Sequence, residues 1–323
     1  MAEWLTGETF EQFVGRHRRE LHVHCYRMLG SLEDAEDAVQ ETFLRAWRGR
    51  DGFAGRSSVR VWLYRIATNA CLDALERRPR RVLPRDLSGA SDPERVPPAP
   101  SDHAWLGPYP DRLLDVEAPD ADPGSVVVAK ETIELAFMAA IQHLPPRQRA
   151  VLIMRDVLGR PAAETADLLG MSVAAVKSAL QRARPTLQEH LPRRREEWSG
   201  MPGTSNLVRR YMDAIDRQDR AAMAELLSQD VRVQFPPRGL WYAGRDAFLA
   251  GSAKHARAGD LRTLATAANR QPAVALYLRA PGDTLFRPMA VEVLRIEGGL
   301  ISEIVDYDRP ELFPLFALPP TLE

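Results

Sequence analysis

The stretch ETADLLGMSVAAVKSALQRAR, residues 164–184, decides how the chain is to be read. Residues 162–169 make a short helix, and Gly170 supplies the turn after it. Ser172 has the character of an N-cap, so a second helix starts at Val173. Ala166, Leu169, Met171, Val176 and Leu180 are the apolar set that holds such a pair at its angle. Lys177, Ser178, Gln181, Arg182 and Arg184 are left pointing away. Two short helices joined through a glycine, the second polar and basic, match a helix-turn-helix; an ordinary helical hairpin shares the local pattern. Pro185 is expected to kink the second helix or end it a turn early, because it lacks an amide donor and crowds the carbonyl four residues back.

Residues 9–79 read as helices. Phe10, Phe13, Val14, His17, Leu21, His24, Cys25 and Met28 trace one stripe that Gly30 closes. In SLEDAEDAVQETFLRAW, residues 31–47, Ser31 caps and acids fill the first turn, which suits the positive end of a helix dipole. Ala35, Ala38, Val39, Thr42, Phe43, Ala46 and Trp47 recur at helical spacing. Asp37, Gln40 and Glu41 fall on the neighbouring stripe, which suits either a solvated face or a basic partner. A Gly-rich loop follows at residues 49–58. Residues 59–78 then form a long helix with Arg60, Arg65, Arg77 and Arg78 outward; Trp62 reads as core, and Tyr64 is open between core and contact.

The net charge of −1 over 323 residues hides two opposed fields. From Arg45 to Arg81 ten arginines face three acids, a local surplus of seven positive charges. From Asp86 to Gly124 nine acids face two arginines, a deficit of the same size. Residues 79–124 carry ten prolines, which excludes a long helix, yet WLGPYPDRLLD (residues 105–115) holds apolar side chains an inert tether does not need. Cys25 and Cys71 read as buried thiols of a reducing compartment. No leader and no bilayer-length apolar run is evident, so a cytoplasmic protein without membrane association is expected.

Beyond a second linker at Ser199–Ser205 the pattern changes. Residues 206–227 read as helical, DVRVQF as a strand, DAFLAGSAKH as a helix, and three alternating segments from Ala273 as antiparallel strands, with Gly298 and Gly299 turning the last hairpin. The fold class is thus two all-α domains, the second with a helix-turn-helix, plus a C-terminal α+β domain. The boundaries are residues 1–80, a linker at 81–124, residues 125–195, a linker at 196–205, and residues 206–323.

DAEDAVQETFLRAW, FAGRSSVRVWLYRIATNACLD and LPPRQRAVLIMRDVLGRPAAETADLLGMSVAAVKSALQRAR, in this order, resemble a sigma factor of the sigma-70 family, of the compact extracytoplasmic-function (ECF) type with only sigma domains 2 and 4. The likeness covers residues 9–79 and 130–191. Residues 205–308, through RRYMDAIDRQDRAAMAELLSQDVRVQFPP and GGLISEIVDYDRP, resemble the SnoaL-like, nuclear-transport-factor-like cone. The resemblance implies core RNA polymerase and promoter DNA as partners. Asp37, Gln40 and Glu41 would dock on the basic coiled-coil clamp of β′, while domain 4 would meet the β flap. Phe53, Arg56, Ser57 and Ser58 would bear a pocket for an extruded base, with Arg60, Arg65 and Asn69 on the helix beneath. Ser172, Lys177, Ser178, Gln181, Arg182 and Arg184 would face the −35 element, where Ala175 replaces a threonine common in relatives. The acidic linker would imitate RNA in the polymerase channel or serve as a soluble tether.

The cone implies a candidate pocket of Tyr211, Trp241, Tyr242, His255, Asn269 and Asp306, open to a small-molecule or protein regulator, with regulation in cis. No metal, cofactor or catalytic residue is expected; His17, His22, His24 and Cys25 have no second ligand cluster for zinc. Two alternatives remain, a one-component helix-turn-helix regulator and a SnoaL-like enzyme fused to a DNA-binding module. The first leaves residues 31–69 unexplained, and for the second fold alone does not give activity. The apolar residues of DYDRPELFPLFALPP, 306–320, are costly to leave in water and are expected to dock on the protein itself.

Overall fold

The computed structural model describes residues 10–53, 58–77, 79–101, 103–114, 133–191, 204–255 and 258–323. They belong to two compact units: Met1–Arg81 with Leu113–Leu191, and Val82–Arg112 with Pro192–Glu323.

In the helical unit, α1 (Phe10–Leu29), α2 (Leu32–Gly49) and α3 (Val59–Arg77) pack pairwise. Gly30, at φ +69°, ends α1 in the left-handed region that a side chain would resist. The Ser31 hydroxyl caps α2 by accepting from the Asp34 amide at 3.2 Å. Ala35, Ala38, Val39, Phe43 and Ala46 are buried, as their spacing predicts; Trp47 instead lies 47% exposed. The second part holds α4 (Leu135–Gln142), α5 (Pro146–Leu152, continued by a π turn over Ile153–Val157), α6 (Ala162–Leu169) and α7 (Val173–His190). Gly170, at φ +60°, turns α6 into α7, and Ser172 accepts from the Ala175 amide at 3.1 Å. Helix α7 does not stop at Pro185 but continues to His190. The Thr186 hydroxyl donates to the Arg182 carbonyl in the turn where the proline interrupts the ladder, and the Leu191 amide closes the end on Leu187.

The second unit is a sheet ordered β2-β1-β6-β5-β4-β3, from β1 (Leu227–Phe235), β2 (Leu240–Ala243), β3 (Asp260–Ala268), β4 (Gln271–Arg279), β5 (Arg287–Glu297) and β6 (Leu300–Tyr307). All neighbours are antiparallel except β1 and β6. Helices α8 (Thr204–Asp216), α9 (Arg220–Leu226) and α10 (Arg245–His255) accompany it. The core joins Tyr211 and Ile215 of α8, Phe248 of α10 and Val231, Val274, Leu294 and Ile304 of the sheet. Strands β2 and β3 are additional to those the sequence reading identifies. In β3, LRTLATAA carries too many small and polar residues to stand out, and pairing along the whole of β4 fixes it.

The described part of the acidic segment is bonded to the sheet unit. Residues 82–112 form a strap on this sheet unit, with Val82 bridged to Trp105 and Pro110 to Ala268. At the C-terminus Leu312, Phe313 and Phe316 are buried, Phe313 lies edge-on to Tyr277 at 5.0 Å, and Phe286 bridges to Leu322. The apolar tail therefore docks on its own domain, as expected.

Candidate functional site

On α2, Asp37 and Gln40 are exposed and Glu41 half-exposed, because their stripe lies beside the buried one. The Gln40 amide donates to Glu36 at 3.0 Å, and Glu41 accepts from Arg45 at 2.7 Å, which also reaches Asp73 at 2.8 Å. These are solvent-screened pairs of small strength, so a stronger cationic partner can displace them. Leu44 and Trp47, respectively 50% and 47% exposed, extend the same surface with apolar area. They are members of it that the charge pattern does not single out.

The basic candidates separate into two places. Phe53 packs on Trp62 with ring centres 5.0 Å apart, and Ser58 begins α3 by accepting from the Val61 amide at 3.3 Å. Arg56 and Ser57 lie outside the described residues. Arg65 and Asn69 are exposed on α3, whereas Arg60 turns back to Glu20 at 2.7 Å. Tyr64, open between two readings, is buried at 2% exposure, and its hydroxyl donates to the same Glu20 carboxylate at 3.3 Å. Burial would raise the Glu20 pKa, but hydrogen bonds from His17 and Arg60 and their charges hold it below its ordinary value. On α7, Ser172, Lys177, Gln181, Arg182 and Arg184 are exposed and Ser178 half-exposed. Arg182 donates to the Ser178 hydroxyl at 2.7 Å, while Arg184 forms a bidentate pair with Asp156 at 2.8 and 3.0 Å. Lys177, Gln181 and Arg182 thus offer the freest donors at the length that reaches base edges and phosphates in a major groove.

The hydrogen-bond partners of the pocket candidates in the second unit lie in several places. Trp241 and Asn269 meet the strap. The Trp241 indole donates to the Ser88 carbonyl at 3.0 Å, and the Ser91 amide donates to the Trp241 carbonyl at 2.7 Å. Asn269, with φ +56°, accepts from the Tyr109 amide at 2.8 Å and returns its own amide to the Tyr109 carbonyl at 2.9 Å. Tyr242 lies against Phe235 and close to Gly251; His255 ends α10, its side chain outside the described residues. Tyr211 and Asp306 do come together, around a residue the sequence reading misses. The Tyr211 hydroxyl donates to Glu292 at 2.9 Å, and Glu292 stands opposite Asp306 in the β5–β6 register. Burial pushes the Glu292 pKa up to about 7, against which the Tyr211 bond pulls only partly. Burial also raises the Tyr211 phenol, helped by the charges of Glu292 and Asp306.

Among the described residues no three His, Cys, Asp or Glu side chains group as a metal site, and no helix is long and apolar enough to cross a membrane. His17 and His22 face Glu20 and Glu36, and His24 pairs with Thr68.

Residues 13–81 match the family model for Sigma-70 region 2, residues 134–187 that for Sigma-70, region 4, and residues 208–304 that for a SnoaL-like domain. Over 319 residues the chain is 45% identical to the ECF RNA polymerase sigma factor SigG of Mycobacterium tuberculosis, spanning 97% of this chain and 85% of that one. The chain belongs to the ECF RNA polymerase sigma factor family. This sigma factor is also 33% identical to SigM of Mycobacterium tuberculosis over 189 residues, 58% of this chain and 80% of that one. The crystal structure of SigJ from Mycobacterium tuberculosis matches with a TM-score of 0.59 at 22% identity, covering 97% of this chain and 100% of that one, and so shows a common fold.

Proposed function

We propose that this ECF sigma factor docks on the β′ clamp of core RNA polymerase through α2, reads a −35 element through α7, and is regulated in cis by its SnoaL-like unit. The observation that carries the first two steps is the division of exposed charge. Asp37, Gln40 and Glu41 line one face of α2, while Lys177, Gln181 and Arg182 line the outer face of the second helix of a capped helix-turn-helix. An acidic face with an amide suits an arginine-rich clamp through charge-assisted bonds, and a cationic helix suits the phosphates and base edges of the groove. Contact of the second domain with the β flap follows from the same family reading. Arg65 and Asn69 remain exposed on α3 for a melted strand.

Regulation in cis is supported by the strap. The segment between the two sigma domains is bonded to the SnoaL-like unit along its length: Arg85 ion-pairs with Glu303 at 3.5 Å, the Ser101 amide donates to Pro237 at 2.7 Å, the Arg270 amide donates to Asp111 at 2.8 Å, and Arg112 donates to Leu315 at 2.7 Å. Glu303 already faces Arg295 at 2.8 Å and Arg232 at 3.7 Å, so Arg85 is a third cation on one carboxylate and leaves it at little loss. A segment held in this way is withheld from the polymerase channel until it is released. A small molecule or protein that binds the unit better with the strap free would shift the balance.

Transcription from genomic DNA by core polymerase loaded with this chain tests the reading. Start sites should share an upstream element, and Arg182→Ala should lower those transcripts about tenfold while leaving retention of core enzyme unchanged. Equal transcript profiles from the variant would move the base contact elsewhere on α7.

A further inference from the structure

Helix α7 carries Pro185 in its interior and still runs on to His190. The proline has no amide to donate to the Gln181 carbonyl, and its ring crowds that carbonyl, so the turn around it is the weakest of the helix. Gln181 and Arg182, two of the candidate base and phosphate contacts, lie in that turn. Before it, Val176, Ala179, Leu180 and Ala183 hold α7 by burial. At the proline itself polar contacts take over. Arg184, the residue before it, makes a bidentate pair with Asp156 at 2.8 and 3.0 Å. The Thr186 hydroxyl, just after it, donates to the Arg182 carbonyl at 3.3 Å.

A second irregularity brings Asp156 to α7. It lies in the π turn Ile153–Val157 that continues α5, where the Leu158 amide bonds back five residues to the Ile153 carbonyl at 2.9 Å. The extra residue in this turn rotates the side chains that follow it, so Asp156 leaves the direction that an unbroken α-helix would give it. Ile153, Met154 and Val157 are buried around it, and the neighbouring Arg155 donates to the Arg160 carbonyl, which fixes the loop beyond. The acid therefore stands on a rigid base.

We infer, on the reading of α7 as the helix that meets the −35 element, that Arg184 is a positioning residue rather than a DNA contact. Its pair with Asp156 splints α7 across Pro185 and sets how Lys177, Gln181 and Arg182 enter the groove. Two nitrogens of one guanidinium are committed to one carboxylate, the geometry in which such a pair is strongest and most directional. A surface pair of ordinary geometry contributes little, but this one acts where the helix has lost a backbone bond of its own. Arg182 instead donates to Ser178 of its own helix at 2.7 Å, a bond that ties α7 to no other element.

The test measures binding of holoenzyme, formed from core RNA polymerase and the full chain, to a promoter duplex taken from start sites mapped on genomic DNA. Several salt concentrations are used. Arg184→Ala and Asp156→Ala should each weaken binding about three- to tenfold. The exchange Arg184→Asp with Asp156→Arg rebuilds the pair with its charges reversed, and should bind more tightly than either single variant. An exchange no tighter than Arg184→Ala overturns the splint, since a phosphate contact tolerates no acid at that position. The slope of log affinity against log salt should be the same for Arg184→Ala as for wild type; a slope shallower by about one marks a lost phosphate contact and also overturns it. Pro185→Ala gives a second arm, one that holds even where Arg184→Ala loosens the domain, because alanine strengthens the helix. With the backbone bond restored, Asp156→Ala should cost less than it does beside the proline, and an equal cost in both backgrounds overturns the splint. Absence of promoter binding by the wild-type holoenzyme overturns the reading of α7 itself, and is thereby distinguished from failure of the splint alone.

Discussion

Each unit of the molecule contains a buried tyrosine donating to a glutamate, and the two pairs behave oppositely. Tyr64 and Glu20 in the helical unit have Arg60 and His17 bonded to the same carboxylate, at 2.7 and 2.6 Å. Glu292 in the SnoaL-like unit has only Tyr211 to offset its burial, with Asp306 opposite it in the strand register. Burial favours the neutral acid in both places. In the first, hydrogen bonds and charge from His17 and Arg60 prevail and hold the Glu20 pKa below its ordinary value; in the second the Tyr211 bond offsets burial only partly, and the Glu292 pKa is pushed up to about 7. The difference teaches that a buried glutamate bonded to a tyrosine keeps a low pKa only where further donors such as Arg60 and His17 reach its carboxylate. It also separates the units: the helical pair holds Arg60 on Glu20, while in the other pair burial leaves the carboxyl of Glu292 raised.

The largest effect expected from breaking this contrast is at Glu292. Its pKa is raised from 4.5 to about 7, so the unfolded chain ionises first. The unit loses stability as pH climbs through that window and levels off above it. Glu292→Gln should remove the dependence and stabilise the unit by about 2 kcal/mol near pH 8, since the amide accepts from Tyr211 and can donate across the strand pair. Thermal melts across the pH range check this; a variant that melts with the wild-type pH dependence contradicts it.

Glu20→Gln should act with the opposite sign and a smaller size. A depressed pKa contributes stability that is complete above the ordinary carboxylate value and is lost as pH falls through the folded one. The variant should destabilise the helical unit by about 1 kcal/mol near neutral pH, partial exposure limiting the figure, and should match wild type in strong acid. A uniform loss at every pH would show that Glu20 serves packing rather than charge.

Smallest is the exchange of each phenol for a phenyl ring. Tyr64→Phe leaves Glu20 its bonds from Arg60 and His17, so melting should shift by less than about 1 kcal/mol. Tyr211→Phe removes the one bond that holds Glu292 down, so the midpoint of the unit's pH dependence should move upward. A larger response to Tyr64→Phe than to Tyr211→Phe would contradict the contrast between the two carboxylates.

Local signals carried most of the helical architecture. Ser31, Gly30, Gly170 and Ser172 act through bonds within four residues, and each marks its boundary where the structure has it. The exposed stripes of α2 and α7 follow from the same periodicity. What the sequence does not reveal comes from partners far away along the chain. Glu292 sits among Val291, Val293 and Leu294, all buried, so alternation along β5 does not indicate its direction; what fixes it is Tyr211, 81 residues earlier. Trp241 and Asn269 have the residue types of a pocket, but their partners Ser88, Ser91 and Tyr109 come from 150 to 160 residues upstream. Pro185 shows a local rule yielding to tertiary support, since Val176, Ala179, Leu180 and Ala183 bury the preceding turns of α7.

Association with polymerase is the claim on which the rest depends, and one binding measurement addresses it directly. The full chain, labelled at an exposed residue away from α2, is titrated with core RNA polymerase beside the variant carrying Asp37→Arg and Glu41→Arg. Saturable binding by the wild type, weakened at least about tenfold in the variant by repulsion from a basic clamp, is the predicted result. Equal affinities would contradict the docking face, and no binding by either would contradict the function.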